Sequence, residues 1–236
     1  MAAPDQLPDR PNTPHVWAVI AAYNEASRLD ATLRNLRSQQ VSVVVVDDGS
    51  RDQTRRVALA HDVWVLRHLI NCGQGAALQT GMDFAIRQGA DIIVTFDADG
   101  QHSAEDLPRL IAPIVSGAAD VALGSRFLGK TVNLPWTRWL VLKLGVIFTR
   151  IFSNIRVTDA HNGYRAFSRR AAEHIRITQN RMAHASEILD RIREHELRFV
   201  EVPVTIHYTA DTLAKGQSSW NAARIASQLL LGRMVK

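Results

Sequence analysis

Cysteine is all but absent from this chain: Cys72 stands alone among 236 residues. A single thiol excludes an intrachain disulfide and any zinc site built on cysteines, and it fits a reducing cytoplasm. Long hydrophobic runs are missing too, although 46% of the residues are hydrophobic. No stretch approaches the ~20 apolar residues of a membrane span. The opening MAAPDQLPDRPNTPH holds four of the eight prolines and no apolar core, which excludes a signal peptide, so residues 1–14 read as a flexible leader. Acidic residues are scarce only in one half. Residues 1–125 carry 10 basic and 15 acidic side chains and residues 126–236 carry 18 and 8, so the net charge of +5 averages two opposed halves. The acidic half suits a cation or a metal-bridged ligand, and the basic half suits phosphate groups or an anionic membrane surface. Neither repeats nor a nucleic-acid-binding signature is present, and no nucleic-acid partner is expected.

What is present is an alternation of short apolar runs and helix-length segments. Strands are expected at 16–21, 41–47, 63–66, 91–97 and 121–125, with helices near 27–38, 52–60 and 75–87 between them. The valines of VSVVVVD do not alternate with polar residues, as in a strand covered on both faces of a parallel sheet. Ser103, three residues before Asp106, resembles a capping box opening a helix through about Ile114. This pattern predicts an α/β domain over 15–218. Further on lie an apolar and basic stretch at 136–155, a short NGYRAFS segment, a helix near 184–195, a strand at 198–206 and an amphipathic helix over 219–236.

In open parallel sheets ligands bind beyond the carboxyl ends of the strands. Three polar clusters fall there: Tyr23-Asn24-Glu25, Asp47-Asp48-Gly49-Ser50 and Asp97-Ala98-Asp99. The last has the spacing for one carboxylate to face a nucleoside while the next but one holds a hard divalent cation on a diphosphate. Asp48 could accept hydrogen bonds from a base or ribose, although Asp-Gly also marks ordinary turns. Gly73-Gln74-Gly75 lacks the third glycine of a dinucleotide motif, since Leu78 stands there. It reads either as a glycine turn allowing close approach of ligand or chain, or as plain helix capping.

Ala21-Ala22-Tyr23-Asn24-Glu25, Val46-Asp47-Asp48-Gly49-Ser50, Gly73-Gln74-Gly75, Asp97-Ala98-Asp99-Gly100-Gln101-His102, Gly124-Ser125-Arg126-Phe127 and Asp159-Ala160-His161-Asn162-Gly163-Tyr164-Arg165 together resemble the family 2 glycosyltransferases of GT-A fold. The pattern is nearest to dolichol- or polyprenyl-phosphate mannosyl- and glucosyltransferases and runs from about Val16 to Ser218. The resemblance implies a mostly parallel central sheet flanked by helices, with a Rossmann-like nucleotide-binding half and an acceptor-binding C-terminal third. It implies that Tyr23, Glu25 and Asp48 contact the nucleoside of a nucleotide-diphosphate sugar. Ala21, Asn24, Gly75 and Ala98 would line the same site. Asp97 would lie at the nucleotide and, with Asp99 and Gln101, at Mg²⁺ or Mn²⁺. Ser125 and Arg126 correspond to phosphate contacts, and Arg165 to an active-site cation near Asp159. Lys215 and Ser218 belong to a basic loop that closes over the site. Two departures stand out: Gln74 replaces a frequent lysine, and an arginine ahead of the loop is absent.

The expected reaction is transfer of a sugar, with inversion, from a GDP-mannose or UDP-glucose type donor to a polyprenyl phosphate. The alternatives are a hydroxyl acceptor on a polysaccharide or glycolipid, or a sugar nucleotidyltransferase. Glu187 reads as an active-site carboxylate or as a helix N-terminal charge, and His102, His161 and His207 as polar packing residues. Five basic and no acidic residues lie between Lys130 and Arg156. With Trp136 and Trp139 they suit a helix at the inner face of the cytoplasmic membrane, or an ordinary helix packed on the sheet. The terminal helix could meet lipid, a second copy or a small membrane-protein subunit.

Overall fold

Val43 to Val46 are all buried, because β2 (Ser42–Asp47) lies inside a sheet covered on both faces. The structure is a computed structural model that describes residues 13–208, apart from 137, 141, 144, 147–154 and 182. Its other strands are β1 (Val16–Ala22), β3 (Trp64–Arg67), β4 (Ile92–Thr95), β5 (Val121–Val132), β6 (Arg165–Ser168) and β7 (Phe199–His207). They form one seven-stranded sheet in the order β3-β2-β1-β4-β6-β5-β7, in which β6 alone runs antiparallel to its neighbours.

Helices α1 (Ala26–Arg37), α2 (Thr54–Leu59), α3 (Gln74–Arg87), α4 (Leu107–Val115), α5 (Arg169–His174) and α6 (His184–Glu194) cover the faces. Strand alternation divides the core into two layers. Ala18, Ile20, Val43 and Val45 meet Leu29, Leu33 and Leu36 of α1 and Leu107 and Leu110 of α4. Val19, Val44, Val46 and Ile93 meet Leu78 and Met82 of α3 and Ile188 and Leu189 of α6.

Several expectations are corrected. The fifth strand continues to Val132, with its pairing to β7 shifted between Ser125 and Lys130, because the chain bends there and resumes the same partner. NGYRAFS supplies β6, and the short α5 follows it. The capping box does not form: Ser103 makes no side-chain cap, and Asp106 instead accepts from Arg109 and from Thr205 N on β7.

The strand order reverses beside β1, whose neighbours β2 and β4 are followed by loops that part and leave a crevice. Because β6 is antiparallel, Arg165 pairs with Thr95 and the 159–164 loop arrives at the same edge. All the polar clusters therefore converge there. Ile93 is fully buried in the second layer. Ile93→Ala should lower stability by about 2–5 kcal/mol in urea denaturation, and a loss below about 1 kcal/mol would contradict this placement of the core.

Candidate active site

Just past β4 lies Asp97, whose carboxylate is tied from three directions. Gln74 Nε2, at the start of α3, donates to Oδ1 (3.1 Å), and His102 Nε2 donates to Oδ2 (2.9 Å). On the third side a Cβ at Gly163 would stand 2.7 and 2.8 Å from the two oxygens, so only glycine lets the 159–164 loop lie this close. Thr95 Oγ1 fixes the approach by donating to Gly163 O (2.6 Å). The His102 ring is set by Phe96 and Tyr164, with centroids 5.3 and 4.9 Å away. Burial pushes the Asp97 carboxyl up, but the His102 ring outweighs it and holds the group below the ordinary carboxylate range. The side chain keeps 28% of its accessible surface, so an ionised group set deep in the domain remains reachable.

Asp99 has the opposite fate. Burial, and after it the charge of Asp97, push its carboxyl up to about 6. Its Oδ1 accepts from Gln101 N (3.0 Å) across Gly100, which turns at φ +75°. Two acids this close resist joint ionisation, and a divalent cation relieves the conflict. The donors offered by this turn, two carboxylates and the Gln101 amide, are oxygen ligands that fit Mg²⁺ or Mn²⁺.

Other carboxylates are occupied in holding loops. Asp48, expected at the nucleoside, is 2% exposed; it accepts from Cys72 N (2.9 Å) and Gly73 N (2.7 Å), and His68 Nδ1 lies 2.7 Å from its Oδ1. It thereby shapes the segment that leads into Gln74. Glu187 accepts from the N–H groups of Thr178 (3.0 Å) and Gln179 (2.8 Å) and from the Thr178 hydroxyl. Glu187 is the acidic residue in the first turn of α6, as the helix N-terminal reading has it, and it acts there as a loop clamp rather than as an active-site carboxylate. The clamped backbone presses on the glycine turn, where Gly75 N donates to Asn180 O (2.9 Å) and a Cβ at Gly73 or Gly75 would collide with the carbonyls of Asn180 and Gln179. Gly75 serves chain packing rather than an open face.

The basic side is a second network. Glu201 on β7 accepts from Thr158 N (2.8 Å), Thr158 Oγ1 (2.7 Å) and Asp159 N (3.2 Å). Asp159 Oδ2 in turn accepts from Arg126 Nε (2.6 Å) and N (3.1 Å), and Arg126 NH1 donates to Tyr208 OH (2.6 Å). Ser125, expected at a phosphate, is fully buried with its hydroxyl 2.6 Å from Thr158 Oγ1. Arg165 is also buried. It donates to the carbonyls of Asn162 (3.0 Å), Ala160 (3.0 Å) and Ala185 (3.2 Å), and burial pushes its guanidinium down. It lies near Asp159, as expected, yet acts as a brace for the 160–162 loop and the start of α6.

Tyr23, Asn24 and Glu25 sit at the same edge. Asn24, at φ +55°, donates its N–H to Ser50 Oγ (3.0 Å) and accepts from Arg51 N (2.9 Å), tying the first cluster to the second. Tyr23 is 41% exposed, while Ala98 is buried and Ala21 partly so. Lys215, Ser218 and the 219–236 helix lie outside the described residues. Sequence reasoning misses Gln74, Glu201 and Tyr208, and takes His102 for packing when it also binds Asp97. Adjacency to Asp97-Ala98-Asp99 was the available signal for His102.

The chain matches the model of Glycosyl transferase family 2 over residues 17–176. It is 32% identical to the UDP-N-acetylglucosamine–dolichyl-phosphate N-acetylglucosaminyltransferase of Methanococcus voltae, over 94% of this chain and 97% of that one. With the polyprenol monophosphomannose synthase of Mycolicibacterium smegmatis it shares 34% identity over 86% and 81% of the two chains. The crystal structure of glucosyl-3-phosphoglycerate synthase from Mycobacterium tuberculosis with Mn²⁺, UDP and glucosyl-3-phosphoglycerate superposes with a TM-score of 0.70 at 16% identity, covering 92% of this chain and 77% of that one. That likeness identifies the fold as GT-A.

An acid whose pKa rises on folding holds its proton more tightly folded than unfolded. The penalty from Asp99 is therefore absent below about pH 4, grows as pH rises toward 6 and is complete above it. In metal-free buffer, Asp99→Asn should stabilise the protein at pH 8 by on the order of 2 kcal/mol and leave it unchanged at pH 4. Equal stability of the two proteins at both pH values, in urea denaturation, would refute the raised pKa of Asp99.

Proposed function

Since the chain belongs to glycosyl transferase family 2, and is a glycosyltransferase of GT-A fold, we propose that it transfers a sugar from a nucleotide-diphosphate donor to a polyprenyl or dolichyl phosphate at a membrane surface. The observation that carries the reading is the Asp97–Asp99 pair at the end of β4, one acid held low and the other raised to about 6. Such a pair suits a cation-bridged diphosphate. Asp97, Asp99 and Gln101 would hold Mg²⁺ or Mn²⁺, which when bound offsets the charge growing on the leaving diphosphate.

The chain's own residues orient the reactants. Tyr23, Asn24 and Glu25, braced against Ser50 and Arg51, form the nucleoside end of the crevice. Gln74 and His102 fix the Asp97 carboxylate so that the donor meets a preset geometry. On the other side, Arg126, buried and held between Asp159 and Tyr208, would supply a positioned charge to the acceptor side. A phosphate monoester acceptor is already mostly dianionic at neutral pH, with a second pKa near 6, and needs no general base. Inversion by in-line attack follows from a single displacement. Lys215 and Ser218 would complete the acceptor side. Support for a lipid phosphate comes from the two relatives whose names carry dolichyl phosphate and polyprenol.

Support for a membrane surface comes from the basic stretch. Its described residues between 136 and 146 are helical, with Trp136 77% and Trp139 46% exposed. Lys143 Nζ lies 3.9 Å from the Phe127 ring centroid and 5.7 Å from that of Trp139. Among the described residues no helix is long and apolar enough to cross a membrane. The proposed location is therefore peripheral, at the inner face of the cytoplasmic membrane, with a small membrane-protein subunit as a further partner for residues 219–236.

Thermal-shift screening of GDP-mannose, UDP-glucose and UDP-N-acetylglucosamine tests the donor side. One of them should stabilise the protein with Mn²⁺ and not without it, and Asp99→Ala should abolish the effect. Absence of metal-dependent stabilisation by every donor would sink the reading. For the surface, replacing both Trp136 and Trp139 by serine should reduce cosedimentation with anionic liposomes several-fold, whereas undiminished binding would remove this helix as the contact.

A further inference from the structure

The carboxylate of Asp48, the ring of His68 and the thiol of Cys72 converge at the far end of the loop that leads into Gln74. One ligand atom from each lies within 4.8 Å of the other two. Sequence order alone does not show this, since Asp48 follows β2 whereas His68 and Cys72 lie in the loop after β3. We propose that these three residues form a second metal site, separate from Asp97–Asp99–Gln101, for a thiophilic divalent cation such as Zn²⁺. One cysteine suffices because the other two ligands come from the residues just after β2 and just after β3, so the site is not one built on cysteines.

The donor chemistry is mixed oxygen, nitrogen and sulfur, which suits Zn²⁺ and disfavours Mg²⁺ or Ca²⁺. The surroundings are built for it as well. His68 Nε2 lies 3.0 Å from Thr80 Oγ1, and the Thr80 hydroxyl donates to Ala76 O (3.0 Å). Thr80 therefore accepts from Nε2–H, which fixes the ring and leaves Nδ1 as the ligating atom, the arrangement found around metal-bound histidines. Nδ1 already faces Asp48 Oδ1 at 2.7 Å. That gap must open by roughly half an ångström for both atoms to sit about 2.0 Å from one ion. Asp48 is held ready by the N–H groups of Cys72 and Gly73, and a water completes four ligands. On binding, the ligating thiol gives up its proton and Nδ1 coordinates through its lone pair, so uptake of the ion releases protons to solvent. The ion ties the end of β2 to the 68–73 loop and thereby fixes the start of α3.

Co²⁺ is a direct probe, because Cys72 is the only cysteine and any thiolate-to-Co²⁺ charge-transfer absorption must report this site. The full chain, stripped of metal, should develop that band at one equivalent of Co²⁺, and one equivalent of Zn²⁺ should bleach it. Cys72→Ser should lack the band, and Thr80→Val should weaken Zn²⁺ binding by about 10–100-fold while keeping the ligands. Asp99→Ala should leave the band intact, which separates this site from the proposed donor site. Failure of the band to form, or a Zn²⁺ affinity unaltered by both Thr80→Val and His68→Gln, would overturn the proposal.

Discussion

Everything at the ligand edge is arranged around the carboxylate of Asp97. It joins the end of β4 to the first residue of α3 through Gln74, to the following turn through His102, and to the 159–164 loop through the bare backbone of Gly163. Three stretches of chain that are far apart in sequence, around Gln74, Asp97–His102 and Gly163, meet at one ionised group. Asp99, raised first by its own burial and then by that charge, holds its proton up to about pH 6. On the proposed function, this pairing of one ionised carboxylate with one raised acid would receive a metal-bridged diphosphate.

Around this centre several charged side chains are spent on holding loops. Asp48, Glu187 and Glu201 each direct a carboxylate onto backbone N–H groups of a neighbouring loop, and Arg165 directs a guanidinium onto carbonyls. Such charge-assisted bonds stiffen loops that would otherwise be mobile. Asp97, Asp99 and Tyr23 keep accessible surface, as a ligand requires. The division of charge follows the same plan: the acidic half carries the cation-seeking pair, while the basic half carries Arg126 and the tryptophan-bearing helix.

The fold is legible in the sequence because parallel strands are continuous apolar runs and the polar residues collect at their carboxyl ends. That rule locates Tyr23, Asn24, Glu25, Asp97 and Asp99 together, and the structure brings them to one edge. It fails where a polar side chain is consumed by a distant segment. Ser125 sits at a strand bend inside a motif, but Thr158, 33 residues away, takes its hydroxyl. Glu187 has the sequence position of a free acid, and the 178–179 backbone satisfies it. Gln74 reads as a departure from a lysine, yet its amide is what reaches Asp97. The missed residues Glu201 and Tyr208 stand on or just after an unremarkable strand, and only the pairing of β7 with β5 brings them to Asp159 and Arg126.

The central claim is that the acceptor's own phosphate is the nucleophile. Transfer of label from the stabilising nucleotide-sugar should be compared with polyprenyl phosphate and with the matching unphosphorylated polyprenol as acceptors. A lipid-extractable labelled product should form from the phosphate alone, at a rate that does not require an added base. Equal or faster transfer to the alcohol, or to a water-soluble hydroxyl with none to the lipid phosphate, would contradict it.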